Sequence, residues 1–179
     1  MVAIDTKFLT LMLGLKARPS RKDPSPEAIE RLEDRIEKLL EDLDSESERI
    51  IIPTPVLAEF LIFVGKDSSA YLEKLAGMRN ILIRPFDEMA AIDLAAVEVE
   101  DRSRGDKRGG SSADWAKVRF DRQIVHIART NRAKRIYSDD KDLARFAIKL
   151  GIEVVTMADL PLPAAKQIDI EYDSGEDRS

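Results

Sequence analysis

Four acidic side chains stand at places in the sequence where an ionised carboxylate is costly. Asp5 and Asp140 end short runs rich in β-branched residues, and Glu59 and Asp121 interrupt the apolar stripes of two predicted helices. A buried carboxylate destabilises a fold unless a cation meets it. Carboxylate oxygens are the ligands that hard ions such as Mg²⁺ and Mn²⁺ prefer. The four acids therefore indicate a site for a divalent metal ion.

Helical spacing predicts that two of these acids face inward. Asp121 lies three residues after Val118 and four before Val125, which places all of them on one helix face. Glu59 has the same spacing from the apolar residues of its own helix. Both carboxylates are expected to point toward the interior, where acids gathered together repel one another unless a divalent cation neutralises them.

Short apolar runs alternate with segments of helical periodicity along the whole chain. Strands are predicted at 2–4, 49–52, 81–83, 135–138 and 152–156, with helices at about 8–15, 27–43, 54–64, 70–78, 87–99, 115–133 and 142–150. Strands that are apolar throughout are typical of a parallel sheet covered on both faces. Such sheets bind ligands at the carboxyl ends of their strands. Asp5 and Asp140 each follow a strand, so both are expected at that edge.

Composition restricts the class of protein and of site. The 179 residues are 44 % hydrophobic and 35 % charged, which suits one globular domain. The absence of cysteine excludes disulfides, zinc–thiolate sites and thiol catalysis. The net charge of -5 gives no global basic field for nucleic acid. We expect a domain over residues 1–160, an acidic flexible tail over 161–179, no signal peptide, no membrane span and a cytoplasmic location.

Four segments, in this order, resemble the PIN domain, the metal-dependent ribonuclease fold of VapC-type toxins. They are Val-Ala-Ile-Asp-Thr at 2–6, Thr-Pro-Val-Leu-Ala-Glu-Phe at 54–60, Asp-Arg-Gln-Ile-Val-His-Ile-Ala at 121–128 and Ser-Asp-Asp-Lys-Asp-Leu at 138–143. The last is similar to the family's Thr-Asn-Asp-x-Asp-Phe motif, with Leu143 in place of the phenylalanine. Lys7 also departs from the asparagine or small polar residue that is common there.

The resemblance implies an α/β, three-layer PIN-like fold with a central five-stranded parallel sheet flanked by helices. The catalytic and metal-binding acids that it implies are Asp5, Glu59, Asp121 and Asp140. It makes Asp142 an accessory metal ligand, and Thr6 and Ser138 supporting hydroxyls. The implied cofactor is Mg²⁺ or Mn²⁺, and the implied reaction is hydrolysis of RNA phosphodiester bonds that leaves 5′-phosphate and 3′-hydroxyl ends. The implied partners are a second copy in a homodimer and, for the toxin of a type II toxin–antitoxin pair, an antitoxin.

Basic residues cluster on either side of the start of the long helix. Those before it, in a segment rich in glycine, are Arg102, Arg104, Lys107 and Arg108. Those on it, at helical spacing away from the apolar stripe, are Arg119, Arg122, His126 and Arg129. Both groups are candidates for contact with RNA phosphates. The alternative is a solvated charged face, which we prefer for the helix, and His126 is not favoured as a base or metal ligand.

Each of these acids, taken by itself, could instead have a purely structural role. Asp140 or Asp142 could cap the following helix, Asp5 could be a turn residue, and Glu59 could pair with an arginine. A PIN-like scaffold that binds RNA or protein without effective turnover is therefore the second hypothesis. Aspartyl phosphatases and phospho-receiver domains are disfavoured, because no second acid follows at position 7 and no lysine follows the fifth strand.

Overall fold

The protein is described by a computed structural model over residues 1–16, 29–105 and 114–163. Five strands form one sheet: β1 (Val2–Ile4), β2 (Ile50–Pro53), β3 (Ile81–Arg84), β4 (Arg135–Tyr137) and β5 (Glu153–Val155). Their order is β3-β2-β1-β4-β5, and every neighbouring pair is parallel. The fold class expected from the sequence is confirmed.

Strand order reverses in the middle of the sheet, between β1 and β4. The chain starts at β1, builds outward through β2 to β3, and then crosses back to place β4 on the other side of β1. Ile4 is paired with Tyr137, so the two strands end at the same level. Parallel sheets bind ligands at such a switch point, beyond the carboxyl ends of the strands. The residues after Ile4 and Tyr137 therefore occupy the place where a ligand is expected.

The central strands fix this edge because they are fully buried. Every residue of β1 and β2 is buried, and Ile50, Ile51 and Ile52 are each 0 % exposed. Burying a side chain of this size contributes roughly 1.5–3 kcal/mol relative to leaving it exposed. A one-residue shift of the strand register would exchange side chains between the two closely packed faces and disrupt the packing on both, so the positions of the strand ends are strongly determined.

Helices cover the sheet on both faces. They are α1 (Thr6–Met12), α2 (Leu32–Ser45), α3 (Thr54–Val64), α4 (Ser68–Gly77), α5 (Glu88–Ser103), α6 (Trp115–Thr130) and α7 (Lys141–Lys149). Helix α1 packs against α2 and α3, while α6 packs against α5 and α7. Helix α3 also contacts α6, so the two groups of helices meet. None of the helices in the described ranges has the length and apolar character needed to span a membrane.

Most predicted boundaries agree with the structure to within a few residues. Asp87 caps α5 as expected, by accepting a hydrogen bond from the Ala90 amide. Helix α2 starts at Leu32, after Arg31 in a left-handed conformation with φ 52°, and the expected cap at 25–27 lies outside the described residues. The division at residue 160 stays a prediction, since residues 164–179 are outside the described ranges as well.

Candidate active site

A cavity of about 600 Å³ opens at the carboxyl edge of the sheet, where α1, α3, α6 and the β4–α7 connection meet. Five acids and two lysines line it: Asp5, Glu59, Asp121, Asp139, Asp140, Lys7 and Lys117. With all of them ionised, the formal charge of the lining is -3. Apolar side chains, including Phe63, Phe120 and Ile124, complete the wall. The structure thus brings the four predicted catalytic acids together in one negatively charged cavity.

Asp5 is held at the end of β1 by two hydrogen bonds. Its Oδ1 accepts from the Phe8 amide at 2.8 Å, which caps α1, and its Oδ2 accepts from the Ser138 hydroxyl at 2.5 Å. The residue is 8 % exposed. Burial raises the pKa of Asp5 to about 6, although both hydrogen bonds oppose that rise. Asp5 is therefore the N-cap of α1, where the sequence left a turn residue as the structural alternative, and it is also a desolvated acid of the cavity.

Glu59 lies at the mouth of the cavity, which corrects the expectation that it points into the core. The residue is exposed, and its Oε2 accepts a hydrogen bond of 2.5 Å from the Thr6 hydroxyl. Val56 and Phe60 are the buried positions of α3. Since these two side chains define the inward face, Glu59 falls at its edge. Its hydrogen-bond partner is a threonine from α1, and not the arginine that was left open as a structural alternative.

Asp121 and Asp140 share one cation, the ammonium group of Lys117. Its Nζ is 2.8 Å from Asp121 Oδ2 and 2.6 Å from Asp140 Oδ2. Burial raises the pKa of Asp121 to about 6 in spite of this lysine. Burial also acts to raise the pKa of Asp140, but hydrogen bonds from Lys117 and from the Leu143 and Asp142 amides outweigh it and lower that pKa. For Lys117, burial would lower the pKa, and its two carboxylate partners instead raise it above the ordinary range.

The β4–α7 connection carries a second ion pair that sequence reasoning did not single out. Lys7 Nζ is 2.7 Å from Asp139 Oδ2, and Asp139 Oδ1 accepts from the Met157 amide at 2.8 Å. The position of Asp139 in the sequence gives no indication that it would pair with Lys7. Lys117 did have a spacing signal, because it precedes Asp121 by four residues, the spacing of an intrahelical ion pair.

Of the two acids that could cap α7, Asp140 is the cap and Asp142 is not. Asp140 caps the helix, its Oδ1 accepting from the amides of Asp142 and Leu143 at 2.9 and 3.1 Å. Its second oxygen remains directed at Lys117. The Asp142 carboxylate pairs with Arg145 at 3.1 Å and is not among the residues that line the cavity.

The prediction of a charged surface on α6 is partly wrong, since Arg122 and His126 are buried. The Arg122 side chain is 3 % exposed, pairs with Glu98 at 3.1 Å and lies 5.1 Å from the Phe146 ring centroid. His126 is 0 % exposed and bonded to Asp93 at 2.6 Å. Burial lowers the pKa of His126, although Asp93 opposes the change. Because α5 and α7 both pack on α6, these side chains lie between helices and not in solvent.

The remaining basic candidates are exposed or lie outside the described ranges. Arg119 is exposed, with its guanidinium 5.6 Å from the Trp115 ring centroid. Arg102 and Arg104 are exposed on the last turn of α5 and its end, where they pair with glutamates one helical turn earlier. Lys107 and Arg108 fall in the segment 106–113, which is not described.

The chemistry of the donor set fits a hard divalent ion. Its oxygen atoms come from carboxylates, and two of these, Asp5 and Asp121, are desolvated enough for their pKa to rise to about 6. As the side chains stand, no three metal-ligating side chains within the described ranges are grouped closely enough to hold an ion. The hydrogen bonds explain this, because Asp5 and Glu59 face hydroxyl groups and Lys117 occupies the place between the other two.

Fold and cavity together define a three-layer α/β protein with an acidic pocket at the switch point of a parallel sheet. A chain of a solved structure, described as VapBC2 from Rickettsia felis bound to a DNA fragment from their promoter, has a similar fold. The TM-score is 0.53 with 16 % sequence identity, over 87 % of this chain and 98 % of the other. At that identity the likeness is one of fold, and it agrees with the PIN-like architecture expected from the sequence. Neither a family model nor a curated protein matches the chain.

Proposed function

We propose that the protein is a divalent-metal-dependent endoribonuclease whose active site is the acidic cavity. The observation that carries the proposal is the arrival of four carboxylates, from four separate parts of the chain, in one cavity at the switch point. Two of them are buried, with burial raising the pKa to about 6 in each case. A fold that needed only stability would gain from apolar residues there, because uncompensated buried charge is destabilising.

The residues that would hold the metal ion are Asp5, Glu59, Asp121 and Asp140. When bound, Mg²⁺ or Mn²⁺ supplies Lewis-acid activation of the phosphodiester and of the attacking water. Ser138 and Thr6 orient the carboxylates of Asp5 and Glu59 through hydrogen bonds of 2.5 Å each. Outer hydroxyls of this kind fix the direction of a ligand oxygen and tune its basicity.

RNA contact is proposed for exposed basic groups on α6 and at the end of α5. Arg119 lies on the same helix as Lys117 and Asp121, and Arg102 and Arg104 lie at the end of α5. The undescribed Lys107 and Arg108 belong to the same hypothesis by sequence alone. Arg122 is left out, because its side chain is 3 % exposed and is paired with Glu98.

A biological role as the toxin of a type II toxin–antitoxin pair is part of the proposal. It is supported by the fold likeness to the VapBC2 structure and by the four segments that resemble PIN domains. In that role the protein would be a homodimer and would have an antitoxin as its protein partner. Co-expression with the product of a neighbouring small DNA-binding gene, followed by co-purification, tests this part.

Cleavage of RNA tests the enzymatic part. Purified protein is incubated with structured and unstructured RNAs in Mn²⁺ and then in excess EDTA, and product ends are mapped for 5′-phosphate and 3′-hydroxyl groups. We expect chelator-sensitive cleavage that is lost in Asp5→Asn and in Asp121→Asn. Asp42→Asn is the matched control, since Asp42 is an acid of α2 whose side chain is 43 % exposed and pairs with Lys38 away from the cavity lining. Cleavage by both cavity variants at the wild-type rate would contradict the proposal.

One observation favours the second candidate function, a PIN-like scaffold without turnover. Lys117 already neutralises part of the charge on Asp121 and Asp140. A scaffold would bind RNA or a protein partner equally well in Mn²⁺ and in EDTA, and the wild-type protein would cleave none of the RNAs tested. Binding that does not depend on metal, together with absence of cleavage, would decide for the scaffold.

A further inference from the structure

Lys117 places its positive charge between two acids of the cavity. Its side chain extends from the first turn of α6, and its Nζ lies within 2.8 Å of carboxylate oxygens from α6 and from the β4–α7 connection. These oxygens belong to Asp121 and Asp140, two of the four proposed metal ligands. The ammonium group thus neutralises part of the charge of these two carboxylates, as a bound metal ion would.

We propose that Lys117 is an internal counter-ion that competes with the divalent metal for Asp121 and Asp140, and so sets the metal affinity of the cavity. This inference rests on the proposed function and deepens it. Metal and ammonium cannot both be held closely between the same two carboxylates, because like charges at such short distance repel strongly in a partly desolvated site. Metal binding therefore requires the Lys117 side chain to leave.

The side chain is able to leave because of its exposure. The Lys117 side chain is 45 % exposed, whereas that of Asp121 is 11 % exposed. A lysine carries its charge on a flexible four-carbon stem, so its ammonium group can move into solvent while the buried carboxylate stays in place. The exchange needs no movement of the helix backbone.

Lys7, the other lysine of the cavity, provides the contrast. Its side chain is 18 % exposed and pairs with Asp139, whose second oxygen is bonded to the Met157 amide. Asp139 is tied to the backbone near β5 and is not one of the proposed ligands. Lys7 is therefore held apart from the pair that Lys117 bridges, and Lys117 is the lysine assigned to competition with the metal.

Direct measurement of Mn²⁺ binding tests the inference without reference to cleavage. Isothermal titration of the full-length protein with Mn²⁺ is compared for wild type, Lys117→Met and Lys117→Arg. We expect Lys117→Met, which keeps the apolar stem and removes the charge, to bind Mn²⁺ about tenfold more tightly, equivalent to about 1.4 kcal/mol. Lys117→Arg keeps the charge and should bind no more tightly than wild type. Lys134→Met is the control for net charge, since Lys134 is 74 % exposed and pairs with Glu48, and neither residue lines the cavity.

Thermal unfolding gives a second, independent readout. In EDTA, Lys117→Met should melt below wild type, because Asp121 and Asp140 then face each other without a cation. In saturating Mn²⁺ the difference should shrink or reverse, since bound metal stabilises the folded state by an amount that grows with the logarithm of its affinity. The rise in melting temperature from EDTA to Mn²⁺ is therefore expected to be larger in the variant.

The outcomes separate this inference from the proposed function. If wild type binds Mn²⁺ and Lys117→Met binds it equally or less tightly, the competition is overturned and the metal site stands. If neither folded protein binds Mn²⁺, the metal dependence of the proposed function is overturned as well. Tighter binding in Lys117→Met, with Lys134→Met unchanged, supports the inference.

Discussion

The Ser138 hydroxyl donates a 2.5 Å hydrogen bond to the carboxylate of Asp5, and this contact joins the ends of β4 and β1. The hydroxyl oxygen of Ser138 also accepts a hydrogen bond of 3.0 Å from the Asp140 amide. Ser138 is 0 % exposed, so the link is protected from water. One buried hydroxyl thereby connects two of the proposed ligands across the switch point of the sheet.

Removal of this hydroxyl should be costly. Ser138→Ala leaves a buried carboxylate oxygen without its donor, and we expect the free energy of unfolding to fall by about 1–3 kcal/mol. Urea denaturation at pH 7 in EDTA measures the change. Ser103→Ala is the control, since it removes an exposed hydroxyl bonded to a backbone carbonyl and should change stability by less than about 0.5 kcal/mol. Equal effects in the two variants would show that the strand-end link contributes nothing.

The metal-free protein should lose stability as the pH rises through the carboxylates' raised pKa values. Burial raises the pKa of Asp5 and that of Asp121 from 3.8 to about 6. Between about pH 4 and 6 the folded state therefore binds more protons than the unfolded state, so these groups make the free energy of unfolding fall as the pH rises.

Replacing one of these acids by its amide isolates the effect. Asp5→Asn resembles the protonated acid, and we expect it to be more stable than wild type at pH 7 by about 1–2 kcal/mol. The gain should vanish near pH 4, where Asp5 of the folded wild type is already protonated. Denaturation in EDTA across pH 4–7 measures it, with Asp42→Asn, at a side chain that is 43 % exposed, as control. A gain that is larger at pH 4 than at pH 7 would show that the ionised form of Asp5 is the stabilised one.

Thr6 should influence metal binding more than stability. Its hydroxyl donates the 2.5 Å bond to Glu59, and the contact is exposed. We expect Thr6→Val to lower Mn²⁺ affinity or the cleavage rate by about ten- to a hundredfold, in the range found for outer-shell partners of metal ligands. The melting temperature should change little, and Thr6→Ser, which keeps the hydroxyl, should recover most of the loss. Full activity in Thr6→Val would remove Thr6 from the set of supporting residues.

A further prediction concerns the ion pair that connects α5 to the last turn of α7. Lys149 donates to Asp101, whose side chain is 3 % exposed, and the second Asp101 oxygen has no hydrogen-bond partner among the described residues. Lys149→Met leaves this carboxylate buried without its cation, so we expect the free energy of unfolding to fall by about 2–3 kcal/mol. Fully buried pairs lose roughly 3–5 kcal/mol, and the 38 % exposure of Lys149 reduces the effect.

An exposed ion pair serves as the control for that measurement. Lys38 and Asp42 pair at 2.6 Å with both side chains about 40 % exposed. Lys38→Met should change stability little, because water solvates the remaining carboxylate. A similar small effect for Lys149→Met would mean that water reaches Asp101 when its partner is removed.

The placement of Asp5 and Asp140 could be predicted because it follows from chain order. Asp5 directly follows β1 and Asp140 comes three residues after the end of β4, and a parallel sheet collects such positions at one edge. The inward direction of Asp121 was predictable too, because it lies in phase with Val118 and Val125, which are both buried.

Glu59 was placed wrongly because α3 is apolar on nearly every side. Leu57, Phe60, Leu61 and Phe63 all pack on the core together with Val56, so spacing from one apolar residue does not identify the inward face. A helix of this kind needs tertiary information to fix its rotation.

The error at Arg122 and His126 has a different cause. Both were taken as surface residues because their helical spacing places them away from the apolar stripe, but their partners Glu98 and Asp93 come from α5, a separate helix. Pairing between helices leaves no pattern in the local sequence. The same limitation applies to the bridge from Lys117 to Asp140, whereas the bridge to Asp121 lies within one helix.

The order of strands has a consequence for protein synthesis. Asp5 is synthesised 133 residues before its partner Ser138, and Asp140 follows later still. A nascent chain that has not yet exposed β4 therefore lacks half of the pocket. The acidic pocket, and any activity that depends on it, can therefore form only after β4 and the residues that follow it have been synthesised.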